Sequence, residues 1–126
     1  GLAYHTESHY SAYTDSGSLS IYVGADEKNI QKSIQLVNKE LNLLRTKKLG
    51  DRQVNSAKKQ IKGQIALGQE SGSNVMLSLG KSLLLYNKVD TLKEVFSYID
   101  SISSDVLLDT ANELFDPNLN STLIYY

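Results

Sequence analysis

Leu19, Ile21 and Val23 alternate with Ser18, Ser20 and Tyr22, whereas from Ile30 onward the apolar residues step by three or four. That change of period limits the fold more than any other feature. A repeat of two places alternate side chains on opposite faces of a strand, and a repeat near 3.6 gathers them on one side of a helix. Residues 2 to 13, rich in Tyr, Thr and Ala with no helical period, read as a first strand, and residues 18 to 23 as a second. The polar cluster Thr14-Asp15-Ser16-Gly17 between them suits a hairpin connection.

Five helical stretches follow. Asp26 is placed to cap the first, whose apolar stripe is Ile30, Ile34, Val37, Leu41 and Leu44. Leu49-Gly50-Asp51 interrupts it and opens a second, with Val54, Ala57, Ile61 and Ile65 on one side. After Ser71-Gly72-Ser73 a third carries Val75, Leu79, Leu83 and Tyr86. Thr91-Leu92-Lys93-Glu94 has the form of a capping box opening the fourth, with Val95, Ile99 and Ile102 expected as its buried face. Ser103 or Ser104 caps the fifth, through Leu107, Ala111 and Leu114, which ends at Asp116-Pro117 because proline cannot continue a helix. Leu119 to Tyr126 reads as a closing strand. The expectation is an α+β fold over residues 1 to 126: an antiparallel sheet covered on one face by helices, in the order two strands, five helices, one strand.

With 126 residues and 40% hydrophobic side chains, the chain is long enough to build a core. Its formal net charge is −1 and the signs are mixed along the sequence, so no positive field is present to attract nucleic acid. The absence of cysteine excludes disulfides and thiolate metal sites. The longest unbroken apolar run, Leu83 to Tyr86, falls far short of the roughly 20 residues of a membrane span. The opening Gly1-Leu2-Ala3-Tyr4 has neither Met nor a polar lead-in and already has strand character, the form of a cut end.

Two histidines flank a glutamate in His5-Thr6-Glu7-Ser8-His9, the residue types of a zinc protease site. Zincin motifs hold their histidines one helical turn apart, as H-E-x-x-H or H-x-x-E-H, where both rings reach one ion. The central glutamate here matches neither order. On a strand rising about 3.3 Å per residue, His5 and His9 share a face about 13 Å apart, too far for one zinc. Polar residues on a strand face are the expected reading. Arg52, Lys58, Lys59 and Lys62 give the second helix a basic side, expected to be solvated. Gly63, Gly68 and Gly80 interrupt helical patterns at a cost of up to about 1 kcal/mol each against Ala, so close packing is expected there. No phosphate-binding glycine motif and no nucleophilic triad can be argued from spacing.

The order of several short motifs carries a resemblance. G-L-A-Y at residues 1 to 4, Y-T-D-S-G at 13 to 17 and S-I-Y-V-G-A-D at 20 to 26 resemble the second half of a peptidase domain of the insulinase or pitrilysin family, which includes the mitochondrial processing peptidases. Ala57-Lys58-Lys59-Gln60-Ile61-Lys62-Gly63 is similar to that family's A-K-x-Q-L-K-G helix. Glu70-Ser71, Asp105-Val106 and Phe115-Asp116-Pro117-Asn118-Leu119 continue the match to the end of the domain.

The resemblance implies a metallohydrolase-like α+β half of a processing-peptidase domain, facing a homologous domain or subunit across a chamber. Only one half carries H-x-x-E-H, which this sequence lacks. Residues 1 to 126 would then be the C-terminal part of an inactive domain, with zinc in the partner half and none in this chain; a zinc-bearing domain lacking its first part is the alternative. Partner halves offer substrate an arginine and tyrosine pair, and Tyr4 stands at the tyrosine's position. The arginine would lie seven residues before Tyr4, upstream of Gly1. A phenol O–H there would donate to a peptide carbonyl as charge develops on its oxygen. The implied function is a non-catalytic partner domain that closes the chamber on an extended peptide. The competing reading is a scaffold domain of the same fold with no role in proteolysis.

Overall fold

The computed structural model describes residues 1–125. It forms two strands and five α-helices: β1 (His5–Ala12), β2 (Gly17–Gly24), α1 (Ile30–Thr46), α2 (Asp51–Gly68), α3 (Gly72–Tyr86), α4 (Leu92–Ser101) and α5 (Ser104–Leu114). Short 3-10 turns, Glu27–Asn29 and Pro117–Leu119, precede α1 and follow α5. The α+β class is therefore as expected. Two compact units divide the chain, Gly1–Lys48 with the residues from Leu108 onward, and Leu49–Leu107.

In the first unit β1 and β2 pair antiparallel, from His5 opposite Gly24 to Ala12 opposite Gly17. Because directly opposed residues share a face, Thr6, Ser8 and Tyr10 lie with Val23, Ile21 and Leu19, and His5, Glu7 and His9 with Gly24, Tyr22 and Ser20. The hairpin is closed by Tyr13 N–H donating to the Ser16 carbonyl at 2.9 Å. The expected stripe of α1 is the face that packs: Ile30, Ile34, Val37, Leu41 and Leu44 are half-buried around the buried Ser33. Asp26 does not cap α1 with its side chain; its carbonyl instead accepts from Asn29 N–H at 2.7 Å in the 3-10 turn, which delays the helix to Ile30. At the other end of α1, Asn112 of α5 donates from Nδ2 to the Arg45 carbonyl at 2.9 Å, satisfying one of the carbonyls a helix end leaves unpaired.

Two sheet expectations are corrected. The helices do not cover the sheet: His5 to Tyr10 and Gly17 to Tyr22 are exposed, and cover is confined to the strand ends at Ser11, Ala12, Val23 and Gly24. A ribbon only two strands wide offers little surface for a helix to bury against. The closing strand is also absent among the described residues. Pro117–Leu119 is a 3-10 turn started by Asp116, whose Oδ1 accepts from Asn118 N–H at 3.0 Å, and residues 120–125 take no regular structure. Extended backbone becomes strand only where a neighbour supplies ladder hydrogen bonds. Tyr126 lies outside the described residues.

In the second unit α2 packs on α4, and Val54, the buried residue of α2, lies on its inner side with half-buried Ile65. Thr91 and Glu94 form the expected capping box: Thr91 Oγ1 accepts from Glu94 N–H at 3.3 Å, and Glu94 Oε2 accepts from Thr91 N–H at 2.7 Å. Ser103 rather than Ser104 caps α5, accepting from Val106 N–H at 3.3 Å. Helix α3 ends on Asn87 in the left-handed conformation (φ 49°), which asparagine tolerates better than most residues. Val75 is half-buried, but the rest of its apolar side chains are exposed, Leu77, Leu79, Leu83 and Leu84 among them. Nor do Gly63, Gly68 and Gly80 mark close packing, since a Cβ at any of them would meet nothing within 4 Å. Among the described residues no helix is long and apolar enough to cross a membrane.

Candidate functional site at the start of the hairpin

The zinc reading of His5-Thr6-Glu7-Ser8-His9 depends on a helix, and all five residues lie in β1. His5, Glu7 and His9 share one face, but the strand rise separates the histidines by about 13 Å along the chain. Local partners occupy His5 instead: its Nε2 lies 3.4 Å from Glu7 Oε2, and its ring packs on Tyr22 with centroids 5.7 Å apart at 58°. These residues do not fit a zinc ion. Among the described residues no group of three or more His, Asp or Glu side chains is disposed to hold a metal.

Tyr4 precedes β1 at a bend in the chain. Its N–H donates to the Gly24 carbonyl at 2.9 Å, which ties it to the last residue of β2. The side chain is 76% exposed, and no hydrogen bond within the described residues engages its hydroxyl. Its ring lies against Gly24: a Cβ built there would stand 2.6 Å from Tyr4 Cε2 and 3.0 Å from Cζ. Tyr4 is thus an exposed phenol on an anchored backbone, able to donate to a carbonyl brought alongside it.

Sequence reasoning misses Gly24, although a glycine ending an apolar strand is the available signal of close approach by another group. The basic side of α2 is only partly the solvated face expected of it. Arg52 and Lys59 are exposed, but Lys58 and Lys62 are half-buried against α4. There Lys58 Nζ donates to the Asp100 carbonyl at 2.8 Å and Lys62 Nζ pairs with Asp100 Oδ1 at 2.7 Å. Lys62 Nζ also lies 5.8 Å from the Phe96 ring centroid. Sequence periodicity cannot reveal this, because lysine stems pack like apolar chains while their charged ends reach a partner.

Known proteins share this architecture. Residues 1–61 match the family model described as the Peptidase M16 inactive domain. Over 124 residues, 98% of this chain, the sequence is 31% identical to an uncharacterized zinc protease of Bacillus subtilis, of which it covers 30%. It is 29% identical over 103 residues to the beta subunit of the mitochondrial-processing peptidase of Saccharomyces cerevisiae, covering 80% of this chain and 22% of that one. A chain of complex III2 from Candida albicans, solved with Inz-5 bound, has the same fold over 86% of this chain and 26% of its own length, with a TM-score of 0.79 at 22% identity. The chain spans about a third or less of the length of these relatives.

Proposed function

We propose that this chain, a member of the M16 peptidase family through its inactive domain, serves as the non-catalytic partner of a zinc-bearing domain or subunit in a metalloendopeptidase. In this reading the partner holds zinc in H-x-x-E-H, and this chain closes the chamber over an extended peptide. The zinc would be held by the partner, where it would supply an activated water for attack on the peptide carbonyl. Tyr4 contributes the donor: its hydroxyl hydrogen-bonds the carbonyl oxygen and favours the state in which that oxygen carries more negative charge.

One observation carries the proposal. Within the stretch that matches the inactive domain, Tyr4 is held by its backbone to Gly24 while its hydroxyl is left open. A residue kept only for packing gains by burying its ring, whereas most of this ring is uncovered.

The test is Tyr4→Phe in the zinc-loaded peptidase assembled with its partner. Turnover is expected to fall at least about tenfold, within the loss that follows removal of one oxyanion donor, with assembly unchanged by size-exclusion chromatography. Unaltered kinetics would leave this chain a scaffold of the same fold.

A further inference from the structure

We infer that Gly24 is a positioning residue, the seat on which the Tyr4 ring rests and which sets where its hydroxyl is presented. The inference rests on the proposed role of Tyr4 as a donor. It starts from a backbone that does not itself require glycine: no glycine among the described residues has positive φ, so residue 24 adopts a conformation open to any L-residue. What excludes a side chain there is the phenol ring, at 2.6, 3.0 and 3.2 Å from the Cβ position through Cε2, Cζ and Cδ2. Gly24 is buried, while Tyr22, two residues earlier on the same face, is 57% exposed.

The arrangement has a physical rationale. Glycine weakens a strand because it packs nothing, and an aromatic ring from the neighbouring strand laid over it restores the lost contact. The far end of the hairpin repeats the pattern more loosely, with the Tyr10 hydroxyl 3.3 Å from the Cβ position of Gly17. At Gly24 the ring is close enough that any Cβ must displace it. Tyr4 is attached to β2 through its own N–H, so a displaced ring swings about a fixed Cα and its hydroxyl moves furthest. Donors act only when held in place before the reaction, and misplacement by about 1 Å can cost up to about 100-fold.

The test is a double-mutant cycle in the assembled, zinc-loaded peptidase, with Gly24→Ala, Tyr4→Phe and the pair. Gly24→Ala is expected to lower kcat at least fivefold with little change in KM. In the Tyr4→Phe background the same substitution should change kcat by less than twofold, since a residue that acts through the hydroxyl has nothing to act through once it is gone. Equal losses in both backgrounds would overturn the inference. A crystal structure of Gly24→Ala separates this outcome from failure of the donor role: the ring is expected to leave its seat whether or not Tyr4→Phe affects turnover, and an unmoved ring would sink the seat.

Discussion

His5 and His9 illustrate how little residue type decides without backbone geometry. Their chemistry suits zinc, and the strand that carries them spaces them beyond the reach of one ion. Replacing both with Ala is expected to leave the zinc content of the assembled peptidase unchanged by elemental analysis. Loss of one equivalent would show that the strand rearranges to bind metal. The strand that separates the two histidines is legible in the sequence: residues at i and i+4 would meet on a helix, but residues 2 to 13 carry no helical period and read as extended, which spreads the two rings apart. The position of Tyr4 is legible only through family resemblance. Its seat is not, because a contact between residues 20 positions apart depends on hairpin register and a bend that no local pattern encodes.

The helices show which local rules carry through to the folded chain. The apolar stripe of α1 and the Thr91–Glu94 box of α4 follow directly from spacing, since both depend on contacts within one or two turns. Hydrogen bonds from the Thr91 backbone and then its side chain hold the Glu94 carboxyl below its usual range. A folded-state pKa below the unfolded value means that this contribution is complete above the unfolded value and disappears as pH falls through the folded one. Glu94→Gln keeps an acceptor without the charge, so its stability deficit against the parent is expected to be largest near neutrality and to shrink as pH falls below the usual glutamate value, closing once the folded-state carboxyl is protonated. Urea unfolding across about pH 3 to 7 measures this, and a deficit independent of pH would place the effect elsewhere. The contact between α2 and α4 is harder to foresee. Lys58 satisfies a carbonyl in the last turn of α4, a favourable place for a cation, but its partner lies 42 positions away.

Across the molecule, burial falls short of what the sequence patterns promise. Among the described residues only Val54 and Ala111 are hydrophobic and buried, while Leu77 and Leu84 of α3 are 66% and 87% exposed. A helix apolar on all sides is normally enclosed, and large exposed apolar surfaces mark interaction sites or drive aggregation. The isolated chain is therefore expected to self-associate with rising concentration in sedimentation velocity runs, and Leu77→Lys with Leu84→Lys to reduce this; a monomer at all concentrations would refute it. The missing cover also explains why the closing strand can be read from composition yet does not form among the described residues: β-rich sequence states a preference, and a ladder needs a second strand.

The packing of a phenol on Gly24 also implies a rule of inheritance. Positions 4 and 24 should mutate as a couple, because a descendant that exchanges the tyrosine for a small residue frees its neighbour to become alanine or serine at no steric penalty. While the tyrosine persists, any such change forces its ring to move, although the main chain there would accept it.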